Sequence, residues 1–456
     1  RVLLEWAADS SLGSVDYEAP VGLTETRLGE IWSSLLALES DVRIGRHDDF
    51  FALGGHSLLA ARLVAQAREQ FGVDLSLARA LAQPTLRGLA EAIDAAPRAV
   101  VLDRRLGWSE PAPLTFSQER IWFFSQLDPE SATYHIAGAL RLSGPLDGRA
   151  LRAALGALLV RHPILEARFF QGPDGPLQVL DRQGRGGPLP ELDLRGLAVE
   201  SLAAESDRIA RKLAALPFDL EVGPPLRLAI LRGGTEAATL CSVVHHIAAD
   251  GAALQIVLAD LGALYGALVR GEREPTSRLA PLEATFADIA REERQRLDGT
   301  RISELLAQAK AAFAEVPTIL ELPLDRPRPA LWTGRGRKLR FVLGDENAAE
   351  LVRAARPLGA TPFQVLFALY AAFLARLSSA ERFAMGTPTL NRERAESARV
   401  VGCFVNTLAI PIDATGDPSW SEFVARVHGA AVAGVARAEL PFERLVEVLV
   451  LERDRS

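Results

Sequence analysis

The stretch VVHHIAADG, Val243 to Gly251, joins two kinds of order. Before it, TLCSVVHH (Thr239 to His246) is an apolar, partly β-branched run of strand length. After it, from Ala252 to Val269, apolar residues continue for the length of a helix. Asp250 and Gly251 stand at the change, where a carboxylate at the first helical turn is favoured by the helix dipole. A strand turning into a helix predicts an α/β unit. Neighbouring strand residues point to opposite faces, so His245 and His246 take different roles, one facing the core and the other a cleft. One histidine ending an apolar strand is usually a core residue; two in succession, with an acid behind them, form a candidate site.

The alternation extends in both directions. YHIAGALRL (Tyr134 to Leu142), LEARFF (Leu165 to Phe170) and LRLAILR (Leu226 to Arg232) read as strands, and Gly148 to Arg161 as a helix. Later come strands KLRFVL (Lys338 to Leu343), RFAMGTPTL (Arg382 to Leu390) and NTLAIPID (Asn406 to Asp413). Helices are expected near Glu346 to Arg356, Thr361 to Leu377, and from Ser419 and Phe442. Two α/β halves joined around Ala280 to Arg328 follow.

The first hundred residues differ. In TETRLGEIWSSLLAL, Thr24 is placed to cap a helix whose apolar face is Leu28, Ile31, Trp32, Leu35 and Leu36. In DDFFALGGHSLLAARLV, Asp48 to Val64, a second helix begins near Ser57 with Leu59, Leu63 and Ala67 inward, ending at Phe71 and Gly72. A last helix starts after Pro84 and Thr85. These sum to a bundle of three or four helices, complete by about Ala95. APRAVVLDRRLGWSEPAP, Ala96 to Pro113, is charged and aperiodic, as a linker is. The expected division is 20–96 for the bundle, 97–112 for the linker, 113–285 for the first lobe and 286–456 for the second.

Composition narrows the function classes. The 456 residues are enough for several cores, and 48% are hydrophobic. The net charge is −7 with both signs scattered, so no basic stripe for nucleic acid is present. FQVLFALYAAFLA, Phe363 to Ala375, falls short of the roughly 20 residues a bilayer span needs and reads as a buried helix. The cysteines, Cys241 and Cys403, stand far apart without metal-ligand spacing, and no signal-peptide pattern opens the chain. No membrane, no metal and a cytoplasmic location are the expectation.

Ser57 has two readings. Serine is among the best helix N-caps, so it could simply satisfy an amide. Two glycines before it also bring the backbone close and leave a serine open to a docking partner, whereas a nucleophile would need a strand-to-helix elbow with a base in reach. DDFFALGGHSLLAARLV resembles the attachment motif of peptidyl carrier proteins in nonribosomal peptide synthetases. That resemblance implies 4′-phosphopantetheine on Ser57, installed from coenzyme A by a separate phosphopantetheinyl transferase. The serine is then a tether and needs no base.

HHxxxDG after a strand is likewise similar to the signature of condensation domains in those synthetases, and more loosely of the chloramphenicol acetyltransferase superfamily. LTFSQERIWFFSQLDP (Leu114 to Pro129), RHPILEARF (Arg161 to Phe169), VGCFVNTLAI (Val401 to Ile410) and ELPFERLVE (Glu439 to Glu447) resemble the first, second, fifth and sixth condensation motifs. The first is of the kind found where two L residues are joined. The fold implied is a four-helix carrier bundle followed by two chloramphenicol acetyltransferase-like lobes in a V. RDRS at the end resembles the opening of the seventh motif, which leads one to expect further strands of the second lobe.

The same resemblance implies roles. His246 meets the attacking amine, His245 packs, Asp250 pairs with Arg392 across the lobes, and the Gly251 amide is an oxyanion donor. Partners implied are an upstream adenylation domain, whose tail RVLLEW resembles, and a downstream acceptor carrier. Two departures bear on substrate preference: Glu166 stands where an arginine is usual, and Ala252 and Ala253 follow the glycine. The rival readings are an epimerase of the same superfamily and a carrier feeding an inactive recruitment platform.

Overall fold

The computed structural model describes residues 17–96, 108–180, 189–326 and 336–449, apart from positions 37, 39–41, 56, 74, 76, 109, 235, 338, 359 and 393. Much of the expected linker, the RVLLEW segment and the RDRS segment lie outside the described residues.

The N-terminal bundle contains α1 (Gly22–Leu36), α2 (Ser57–Phe71), α3 (Leu77–Ala82) and α4 (Leu86–Asp94). Leu28, Trp32, Phe50, Leu63, Ala67, Leu86 and Leu89 form its core. Gly72 closes α2 at φ +64°, the left-handed conformation that costs glycine least. Thr85 caps α4 by accepting from the Gly88 amide. Thr24 is not a cap. α1 starts two residues earlier, and the Thr24 hydroxyl instead donates to Asp94 at 2.8 Å, joining the first and last helices.

The first lobe is built on an antiparallel pair. β2 (His135–Ser143) and β6 (Leu226–Arg232) flank β7 (Ala237–His245), with β5 (Glu191–Asp193) added in parallel beyond β6. The register sets His135 opposite His245. α6 (Gly148–Arg161) and α8 (Gly251–Val269) cover one face through Leu151, Leu155, Leu158, Leu240, Leu261 and Leu264. A smaller sheet orders β1 (Ala112–Pro113), β4 (Gly175–Leu180) and β3 (Ala167–Gly172). The strand expected at LEARFF begins late, because Pro163 to Glu166 first make a 3-10 turn that proline's fixed φ favours.

α8 has the length and hydropathy to cross a membrane. Asp260 at its middle ties it to α6 and the residue after it, accepting from Arg161 Nε at 2.8 Å and lying 2.9 Å from His162 Nε2.

α5 (Phe116–Leu127) and α7 (Val199–Ala215) complete the first lobe, and α9 (Phe286–Arg296) and α10 (Gly299–Ala312) lead away from it. In the second lobe, α11 (Asp345–Ala355), α12 (Pro362–Ser378) and α13 (Trp420–Ala436) accompany the antiparallel pair β8 (Arg382–Thr389) and β9 (Asn406–Asp413), followed by α14 (Phe442–Leu449). Phe367, Ala371, Phe383, Ile410, Phe423 and Val427 fill the space between them. Among the described residues the expected strand KLRFVL is not formed. Residue 338 is outside the described residues, Leu339, Phe341 and Val342 are exposed, and among the described residues no strand pairs with them. An apolar alternation without a ladder partner has nothing to satisfy its backbone.

The lobes share one core. Trp122, Phe169, Val244 and Ile247 of the first pack with Val400, Val401, Cys403 and Phe404 of the second, and Phe286, at the expected lobe boundary, is buried among them. The bundle meets the second lobe, α3 against α13 and α2 against the turn Ala395–Ser397.

Candidate active site

The turn after β7 is held from several sides. The His246 amide donates to the Tyr134 carbonyl (2.8 Å), the His245 amide to the Pro225 carbonyl (2.8 Å), and the Ala248 amide back to the His245 carbonyl (3.0 Å). Gln118, wholly buried in α5, donates to the Ile247 carbonyl (3.0 Å). Sequence reasoning missed Gln118 and Tyr134, since nothing local marks residues whose partners lie over a hundred positions away.

The two histidines differ as their alternation required. His245 is 4% exposed, ringed by Tyr134, His135 and Phe218, and its Nδ1 accepts from the Ile247 amide at 3.3 Å. Burial, with His135, His246 and Arg227 nearby, holds it down to about 3, so its imidazole is neutral. His246 is only partly buried. Its ring stands edge-on to Tyr134, its Nδ1 lies 3.7 Å from Cys403 Sγ, and none of the described residues hydrogen-bonds its Nε2.

Asp250 does more than cap. It is 1% exposed, and its Oδ1 accepts from the Ala253 amide (2.8 Å) at the start of α8 and from Arg392 Nη2 (3.0 Å), while Oδ2 accepts from the Phe404 amide (3.0 Å). Arg392 also donates to the carbonyls of Ser397 (2.8 Å), Val400 (2.7 Å) and Gly402 (3.2 Å), and its guanidinium lies 4.0 Å from the Phe404 ring centre. One carboxylate and one guanidinium therefore tie the first lobe's helix start to the second lobe's 400–404 loop. α5 adds two ties: Ser117 donates to the Val405 carbonyl (2.8 Å), and Arg120 pairs with Glu443 (2.9 Å).

Gly251 opens α8 on an exposed surface, and an added Cβ would meet nothing within 4 Å. Of the departures, Glu166 is buried in the 3-10 turn before β3.

Ser57 stands at the first position of α2; its side chain lies outside the described residues. The residues before it build a fixed loop. Asp49 accepts from the Phe51 (2.7 Å) and Ala52 (3.1 Å) amides, Phe50 packs edge-on against Trp32 at 5.2 Å, and Gly54 takes φ +104°. A Cβ on Gly55 would come within 2.3 Å of the Phe50 ring, so only glycine lets the chain pass so close. A loop shaped from Asp49 to Gly55 by hydrogen bonds and ring packing, leading to the start of α2, fits a covalent attachment point.

A buried histidine and a half-buried carboxyl set opposing pH dependences. For His245, the unfolded chain binds a proton between about pH 3 and 6.5 that the folded chain does not, so stability rises with pH across that window and is complete above it. Burial pushes Glu293, which accepts from the Phe116 amide, up to about 7 from 4.5. There the folded chain keeps a proton the unfolded chain has lost, so stability falls as pH rises from about 4.5 to 7. Urea midpoints should thus fall with rising pH in His245→Asn, relative to wild type, and rise in Glu293→Gln. Parallel profiles in all three proteins would remove both assignments.

A small bundle with a glycine-built loop before its second helix, joined to two α/β lobes with a histidine at their junction, has the architecture of a carrier coupled to an acyl-transfer domain. The chain belongs to the condensation-domain family: residues 109–456 match its profile, described as Condensation domain, and residues 26–93 match Phosphopantetheine attachment site. Among similar proteins, a linear gramicidin synthase of Brevibacillus parabrevis is 36% identical over 99% of this chain, which spans 9% of that relative. Phosphinothricin tripeptide synthetase of Streptomyces viridochromogenes is 37% identical over 93% of this chain and 35% of its own length. Among solved structures, the X-domain from teicoplanin biosynthesis aligns with a TM-score of 0.68 at 29% identity, over 77% of this chain and 76% of that one. The first condensation domain of the CDA synthetase gives 0.60 at 25%, over 75% and 80%. The carrier followed by a condensation domain, and the nonribosomal peptide synthetase family, are as the motifs implied.

Proposed function

We propose that this chain forms an amide bond in nonribosomal peptide assembly, using Ser57 as the donor tether and His246 as the group that meets the acceptor amine. The observation carrying this reading is the division of labour in the histidine pair: His245 is buried and neutral, while His246 leaves one ring nitrogen without a partner among the described residues at the junction of the lobes.

An α-amine titrates near 8, so much of it is already neutral at physiological pH and no strong base is needed. His246 accepts a hydrogen bond from the amine, aims its lone pair at the thioester carbon and stabilises the positive charge that grows on nitrogen as the C–N bond forms. The C–S bond then breaks, and the proton lost from nitrogen balances the departing sulfur. The Gly251 amide, at the first position of α8 and without a hydrogen-bond partner among the described residues, would donate to the developing oxyanion. Asp250 and Arg392 act as scaffold. Ser57 would hold 4′-phosphopantetheine, which supplies a thiol for the donor acyl group.

The carrier precedes the condensation domain in the same chain, which supports a donor-side role for this carrier. The acceptor is then an aminoacyl group on a downstream carrier, the donor residue is activated by an upstream adenylation domain, and a phosphopantetheinyl transferase in the same cytoplasm installs the arm. The first motif supports joining of two L residues.

Treatment with a phosphopantetheinyl transferase and an acyl-coenzyme A analogue should add mass to the Ser57 peptide, and that protein should then acylate an aminoacyl thioester. A mass gain on any other residue would remove the tether assignment. Because an added Cβ meets open space, Gly251→Val should keep the wild-type urea midpoint yet lose about tenfold or more in turnover if substrate passes this point. Undiminished turnover would take Gly251 out of the substrate path.

A further inference from the structure

We propose that Cys403 is a positioning residue: its sulfur accepts the Nδ1–H of His246, holding the imidazole in the tautomer whose Nε2 carries the lone pair. This rests on the reading that His246 meets the amine. The amine must keep its own lone pair for the thioester carbon, so it can touch the imidazole only by donating an N–H. The ring nitrogen it meets must then be an acceptor, and a neutral imidazole carries its one proton on the other nitrogen. Nε2 has no hydrogen-bond partner among the described residues, and Nδ1 has one, Cys403 Sγ at 3.7 Å.

The sulfur is suited to accept. Burial pushes the thiol up to about 12, so it stays uncharged. A neutral sulfur marks one ring nitrogen without placing a charge beside the ring.

Its location is fixed by both lobes. Gly402 accepts from Arg392, the Phe404 amide donates to Asp250, and Ser117 holds the Val405 carbonyl. A Cβ on Gly402 would lie 1.9 Å from the Phe286 ring, so the loop runs hard against the start of α9. The Asp250–Arg392 pair thus reaches His246 through Cys403.

The test uses the full chain, loaded from an acyl-coenzyme A analogue and given an aminoacyl thioester acceptor. Cys403→Val has similar volume and no acceptor; Cys403→Ser keeps a polar acceptor. We expect kcat to fall about 5- to 10-fold in the valine variant at unchanged KM, and less in the serine variant. A purely packing role gives the reverse order, because a buried hydroxyl is the costlier replacement, and that order would overturn the proposal. Long-range proton–nitrogen NMR of histidine-labelled protein, with the His246 signals assigned by His246→Ala, should show the Nδ1–H tautomer in wild type and a shift towards Nε2–H in the valine variant. An Nε2–H ring in wild type overturns the proposal even if the valine variant fails to fold. Amide formation surviving in His246→Ala would instead remove the reading of His246 and leave the tautomer result standing.

Discussion

Asp250→Ala should unfold at markedly lower urea concentration than wild type, with a loss of about 3–5 kcal/mol. The carboxylate is 1% exposed and has three partners: the Ala253 amide at the start of α8, Arg392, and the Phe404 amide of the opposite lobe. Alanine leaves Arg392 buried without its counter-charge and two amides without acceptors, and a broken buried pair costs more than the intact pair contributes. Turnover should fall with stability, since the loop carrying Cys403 loses one of its anchors. Arg392→Ala should cost about as much, because three carbonyls lose their donor along with the carboxylate. An Asp250→Ala protein with the wild-type urea midpoint and turnover would refute the scaffold role.

His246→Ala should lower the rate of amide formation by about 10²- to 10⁴-fold, the range a positioned acid–base group contributes. The ring is only partly buried and gives one nitrogen to Cys403, so its removal should shift the urea midpoint little. His245→Ala should behave oppositely, opening a cavity among Tyr134, His135 and Phe218 and costing stability first. Comparing kcat with urea midpoint in the two variants separates chemistry from packing.

The elements legible in the sequence were those whose periodicity is complete within themselves. α6, β6 and β9 fall at the expected residues because each has an apolar face bounded by turn or charged residues. α9 was not legible: FADIAREERQR is mostly charged, and its few apolar residues give too short a stripe to mark a helix. α3 is six residues long, below what periodicity can resolve. KLRFVL had a strand's alternation, yet pairing is a property of two segments and cannot be read from one. In the site, His245, His246, Asp250 and Gly251 lie within seven consecutive residues and stand out by local pattern. The Arg392 partner came from resemblance, and the geometry brings it to Asp250 at 3.0 Å. Gln118 and Cys403 were not legible as site residues, because each touches the histidine turn only through tertiary folding, across 129 and 157 positions.

The most direct test is a single turnover followed by intact-protein mass spectrometry, with an acyl group loaded on Ser57 and an aminoacyl carrier supplied in excess. The account predicts that the acyl mass leaves the wild-type chain and appears on the acceptor as an amide, while in His246→Ala it stays on Ser57. Equal transfer from both proteins, or an acyl group that never leaves wild-type Ser57, would contradict it.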